Sequence, residues 1–134
     1  MMPATPTTIP VTTESDVVKV RQAVRALAVE IKLSLVDQTK VVTAASELGR
    51  NLLIYGGGGE VRLELVQDGI RRGVRVIFED HGPGIPDTDL AMKDGYTTGS
   101  GMGLGLGGAR RLVNDFDLYS KVGEGTRITI TKWR

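Results

Sequence analysis

The sequence predicts a two-layer α/β (α+β) sandwich, with a mixed, mostly antiparallel sheet covered on one face by about three helices. Three observations carry this. Apolar residues recur at three-and-four spacing in two stretches, from Ser15 and from Ser34. Polar and apolar residues alternate in four shorter segments set around glycine-containing turns. The order is a strand, two helices, two strands, a loop, a helix and two strands, so helices interrupt the strands singly or as a pair.

Each element has its own signal. Residues 1–8, MMPATPTT, are rich in proline and threonine and read as a loose tail, with one domain over residues 9–134. IPVT, Ile9 to Thr12, reads as a short edge strand that tolerates Pro10. Val17, Val20, Val24, Leu27, Ala28 and Ile31 form one stripe of a helix capped by Thr13 or Ser15 and ending near Leu33. A second helix starts between Ser34 and Asp37 and carries Val41, Ala44, Leu48, Leu52 and Tyr55 on one face until the glycines at 56–59 stop it.

EVRLELV and VRVIFED alternate on either side of QDGIRRG, which predicts two strands joined by a hairpin. The second of them delivers Asp80 to a loop. Leu106, Ala109, Leu112, Val113 and Phe116 outline a third helix, and DLYSKV and TRITITKW form the last strands around GEG.

Composition narrows the function classes. At 134 residues, 17 Lys and Arg balance 16 Asp and Glu, so no net field draws the chain to nucleic acid or an anionic membrane. Cysteine is absent and histidine occurs once, as His81, which excludes a disulfide framework and makes a zinc site improbable. The first residues lack the basic and apolar regions of a signal peptide, and no run approaches the roughly 20 apolar residues that span a bilayer. A cytoplasmic protein with neither nucleic acid nor membrane as partner is expected.

Three short motifs carry possible chemistry. In TTGSGMGLGLGGARRL, alternate glycines at 101, 103, 105 and 107 precede a helix, where backbone N–H groups can surround a phosphate. The segment is neither GxxxxGK[ST] nor the tight turn of a dinucleotide-binding βαβ unit, so the P-loop and Rossmann readings fail. In EDHGPGIPD, Asp80 ends an apolar strand, and Gly82 and Gly84 follow where the backbone can approach a flat ligand. In SELGRN, Glu47 and Asn51 project from one helical stripe, beside small residues that leave space. Such hard oxygen donors suit magnesium, which takes one or two protein ligands plus water and phosphate oxygens. Taken singly, each motif also has an ordinary reading: a flexible loop, a turn with a capping aspartate, a solvated polar face.

Together, and in the order Glu-x-x-x-Asn, Asp-x-Gly-x-Gly, Gly-x-Gly-x-Gly before a helix, they resemble the N, G1 and G2 boxes of the GHKL ATPase/kinase superfamily, which includes gyrase B, MutL and the histidine kinases. The resemblance implies a Bergerat ATP-binding fold, with ATP held between the helical layer and the sheet under a lid. ELGRNLLIYGGGGEV, IFEDHGPGIPD, DGYTTGSGMGLGLGGARRL and GEGTRITITKW are similar over nearly the whole chain to the stand-alone anti-sigma-factor serine/threonine kinases, and among them to the switch-protein kinases.

By that resemblance, Asn51 would hold magnesium on the ATP phosphates and Asp80 would accept the adenine amino group. Gly82 and Gly84 would shape the adenine pocket, with Thr126 of GEGT near the base. Gly101, Gly103 and Gly105 would cradle phosphate, and Glu47 would be the general base. The segment from Gly95 to Gly107 would form the lid and phosphate loop. No role falls on His81, and Arg50, Arg110 and Arg111 read first as solvated helix residues.

The implied function is an ATP- and magnesium-dependent serine/threonine kinase. It would phosphorylate STAS-domain antagonist proteins in a large signalling complex and, once released, activate a PP2C-type phosphatase. Two other readings stand beside it: an anti-sigma factor that sequesters a sigma factor while phosphorylating an anti-anti-sigma STAS protein, and a nucleotide-gated binding switch without transfer. A retained Glu47 argues against the last, because a pure binder has no need of a base.

Overall fold

A computed structural model describes residues 6–92 and 105–134. Five strands, β1 (Thr7–Val11), β2 (Gly59–Asp68), β3 (Arg71–Asp80), β4 (Asp115–Lys121) and β5 (Gly125–Trp133), form one sheet in the order β1-β2-β3-β5-β4. Every neighbouring pair is antiparallel, so the mixed element of the expectation is absent among the described strands. The helices are α1 (Glu14–Glu30), α2 (Leu35–Ile54), a single turn α3 (Thr88–Ala91) that the sequence reading missed, and α4 (Leu106–Arg111).

Period-two alternation makes the sheet two-faced. Cross-strand register lines up Ile9, Val61, Phe78, Ile128 and Leu118 in one apolar row, and Leu63, Val76, Ile130 and Phe116 in the next. Those rows meet Val17, Val20, Val24 and Ala28 of α1 and Val41, Ala44, Ala45, Leu48 and Leu52 of α2 in one buried cluster. Full burial of each large side chain, Phe78 and Leu48 among them, is worth roughly 1.5–3 kcal/mol.

The helix ends follow local hydrogen bonding. Thr13 and Asp16 form a reciprocal capping box on α1, and the Ser34 hydroxyl accepts the Asp37 N–H at the start of α2. At the far end of α1, the Leu33 N–H reaches the Ala28 carbonyl and the Lys32 N–H reaches Val29, with Lys32 at φ +61. That is a Schellman closure with lysine where glycine is usual, which is why the sequence places the helix end near Leu33 although α1 stops at Glu30.

Two further boundaries move. The predicted tail over 1–8 is too long, because Thr7 and Thr8 already pair with Leu63 and Arg62. The predicted third helix is too long as well: α4 stops at Arg111, the Asn114 N–H donates to the Thr131 carbonyl, and Phe116 joins β4 opposite Ile130. A short apolar run satisfies both periods, and pairing with β5 decides between them. No helix among the described residues is long and apolar enough to cross a membrane.

Candidate functional site

The core face of the sheet changes chemistry at one end. Beyond the two apolar rows, the next row in register is Gly59, Asp80, Thr126 and Ser120. Apolar packing cannot continue across it, and a cleft opens between this row and α2. Leu48, Asn51, Leu52 and Tyr55 of α2 form one wall, Ile85 and Leu106 close the sides, and Phe78, Asp80, Thr126 and Ile128 form the floor. The cleft spans about 360 Å³ of space not filled by atoms, open solvent included.

Asp80 is only 8% exposed and lies at the bottom of this mainly apolar space. Its Oδ1 accepts the backbone N–H of Gly82 at 2.9 Å and that of Thr126 at 3.2 Å. These bonds fix the carboxylate plane and leave Oδ2 as the oxygen with no hydrogen bond among the described residues. Gly56 supplies the room around it: a Cβ there would stand 2.5 Å from Asp80 Oδ2, and one on Gly82 would stand 2.7 Å from the Gly56 carbonyl oxygen. Gly84 is buried against the Lys121 carbonyl.

Glu47 and Asn51 sit one helical turn apart on α2, both partly buried. Asn51 lines the cleft, and the Glu47 carboxylate lies beside Gly105, the residue that starts α4. The structure therefore brings together Glu47, Asn51, Asp80, Gly82, Gly84, Gly105 and Thr126 at one end of the sheet. Gly101 and Gly103, with the rest of the expected lid before Gly105, lie outside the described residues.

The donor set bears on magnesium. No group of three or more His, Cys, Asp or Glu is placed to hold a metal among the described residues. One amide oxygen at the cleft rim fits an ion that takes most of its ligands from phosphate and water, and does not fit a protein-enclosed metal.

The sequence reading missed Ser120, which joins the polar row from β4. Its signal was present in FDLYSK, where Phe116, Leu118 and Ser120 alternate on one face. Tyr55, Ile85 and Leu106 were read as helix or loop residues and also line the cleft. His81, Arg50 and Arg110 are exposed and outside it.

Residues 36–134 match the family described as histidine kinase-, DNA gyrase B-, and HSP90-like ATPase. The serine/threonine-protein kinase RsbT of Bacillus subtilis is 46% identical over 121 residues, which cover 90% of this chain and 91% of that protein. An anti-sigma F factor of Anoxybacillus flavithermus is 29% identical, covering 84% of this chain and 80% of its own length.

A crystal structure of the RsbU and RsbW domains of a Mycobacterium tuberculosis protein superposes on 98% of this chain with a TM-score of 0.62 at 25% identity, and this chain spans 33% of that one. The SiaB-SiaC complex from Pseudomonas aeruginosa shares the fold at a TM-score of 0.55 and 11% identity. A buried aspartate under an α2 that carries Glu-x-x-x-Asn, and a family match over residues 36–134, lead to one conclusion: the chain belongs to the histidine kinase-, DNA gyrase B- and HSP90-like ATPases, in their serine/threonine-kinase and anti-sigma-factor branch.

Proposed function

We propose that this chain is a magnesium-dependent serine/threonine kinase that transfers the γ-phosphoryl group of ATP to STAS-domain antagonist proteins and, when released from them, activates a PP2C-type phosphatase. One observation carries the catalytic part. The buried Asp80 carboxylate, fixed by two N–H donors at Oδ1, offers Oδ2 to an amino group within an apolar cleft that Asn51 lines, with Glu47 one helical turn away beside Gly105.

In this reading Leu48, Leu52, Ile85, Leu106 and Ile128 enclose the adenine, and Asp80 Oδ2 accepts its amino hydrogen. Gly82 and Gly84 bring backbone close to the base, with Thr126 beside it. Gly101, Gly103 and Gly105 cradle phosphate through their N–H groups. The Asn51 amide oxygen holds magnesium, which when bound neutralises phosphate charge. Glu47 takes the proton of the acceptor hydroxyl as that oxygen bonds to the γ-phosphorus and the bond to the ADP oxygen breaks. Phosphoryl transfer depends chiefly on positioning and charge, so these groups suffice.

Support for the partners comes from the 46% identity to the kinase RsbT, against 26–29% for the anti-sigma F factors. The difference favours the switch kinase over sequestration of a sigma factor. The test is transfer from labelled ATP and magnesium to a purified STAS-domain protein encoded beside this chain, with Glu47→Gln as control. Label on serine or threonine that disappears in the control is expected. Tight ATP binding without transfer would replace the kinase by a nucleotide-gated switch.

A further inference from the structure

Ser120 stands behind the cleft, not in it, yet its hydroxyl makes three contacts. It accepts the backbone N–H of Ile85 at 2.7 Å, donates to the Gly125 carbonyl at 3.1 Å, and lies 2.8 Å from the Thr126 hydroxyl. A serine hydroxyl has one proton and two lone pairs. The Gly125 carbonyl can only accept, so meeting all three contacts sends the Ser120 proton there. One lone pair then takes the Ile85 N–H, and the other must take the proton of Thr126. Thr126 has no other hydrogen bond through its hydroxyl among the described residues, and it lines the cleft beside Asp80. With its proton turned back to Ser120, the Thr126 oxygen has only lone pairs left to offer a group in the cleft that Thr126 lines.

We propose that Ser120 is a positioning residue that holds Thr126 as an acceptor, so that the cleft floor presents two acceptor oxygens, Asp80 Oδ2 and Thr126 Oγ1, and selects a base bearing an exocyclic amino group over one bearing an oxo group. An amino group offers two hydrogens to two acceptors, directly or through a water. A 6-oxo purine brings a third acceptor to the same place, and all of its lone pairs go unmet. Without Ser120, the Thr126 hydroxyl can rotate and donate to an oxo group, so discrimination is lost while the pocket remains. The inference rests on the reading of the cleft as an adenine-nucleotide site.

The experiment is calorimetric titration of the full chain with ATP and with inosine triphosphate, which replaces the amino group by an oxo group. The unaltered protein is expected to prefer ATP. Ser120→Ala is expected to reduce that preference roughly tenfold, the ratio one neutral hydrogen bond supplies, chiefly by improving binding of inosine triphosphate. Ser120→Thr, which keeps the hydroxyl, is expected to restore it.

Equal weakening of both nucleotides by Ser120→Ala would reduce Ser120 to a structural tie and overturn the proposal, as would equal binding of both by the unaltered protein. Should Ser120→Ala not fold, Thr126→Val removes the acceptor from the other side, and an unchanged preference there also overturns it. Failure of the unaltered protein to bind ATP at all would remove the nucleotide-site reading, and this one with it.

Discussion

The Glu47 carboxylate and the Cα of Gly105 are in direct apposition: a Cβ built on Gly105 would lie 2.9 Å from Glu47 Oε2 and 3.0 Å from its Cγ. Gly105 also holds φ +66 as the residue before α4, a conformation costing an L side chain roughly 1–2 kcal/mol. The start of α4 and the proposed base are thus fitted to each other. Gly105→Ala is expected to displace Glu47 and lower transfer on the order of 10²-fold, the range a general base supplies, with kcat falling more than KM for ATP rises. Steady-state kinetics decide it. An unchanged kcat would place the base elsewhere.

Asp80 gives a second prediction, because its two oxygens do different work. Asp80→Asn can keep both backbone N–H bonds at Oδ1, and it puts an amide donor where Oδ2 faces the cleft. The expected result is an ATP affinity lower by roughly 10- to 100-fold, the range of a lost charge-assisted hydrogen bond, with little change in melting temperature. A large fall in melting temperature without loss of affinity would make Asp80 a structural cap.

These sites differ in how legible they were. Glu47, Asn51 and Asp80 carry functional groups at fixed helical and strand positions, so spacing alone put the first two on one stripe and the third at a strand end. Alternation along β4 put Ser120 on the core face, but its partner was visible only through register: it matters because β4 aligns it with Thr126 of β5, and pairing across a sheet is a tertiary fact. The same limit explains Phe116, whose neighbours fit helix and strand alike until β5 pairs with it. Lys32 shows another, since a left-handed lysine at a helix end has no local signature in the sequence.

A half-buried ion pair anchors the start of α2 to the last strand. Lys132 Nζ lies 3.5 Å from Asp37 Oδ1, with the lysine side chain 10% exposed and the aspartate 35%. The two partners are unequal. Asp37→Ala leaves an ammonium group buried beside the core, and a loss of about 1–3 kcal/mol is expected. Lys132→Met leaves a carboxylate that is partly solvated and sits in the favourable first turn of a helix, so a smaller loss is expected. Urea denaturation of both variants tests the asymmetry, and equal losses would assign the pair no burial cost.

The start of α1 yields a pH dependence of known sign. Asp16 Oδ2 accepts the backbone N–H of Thr12 at 2.9 Å and of Thr13 at 3.1 Å. The Thr12 bond is the main cause that lowers the Asp16 pKa from 3.8 to about 2; desolvation opposes it, and the Thr13 backbone bond and both threonine hydroxyls add to it. A carboxyl whose pKa is depressed on folding stabilises the native state above its unfolded value and loses that contribution as the pH falls through the folded one. The window here runs from 3.8 down to about 2. Asp16→Asn should therefore melt below the unaltered protein near neutral pH, because the amide is a weaker acceptor for the two N–H groups. The gap should narrow as the pH falls through this window and close below its lower end, where Asp16 of the folded protein is itself protonated. Circular-dichroism melts across a pH series measure it directly. A gap that stays constant through the window would mean that the capping box stabilises α1 by shape alone, with no contribution from the charge.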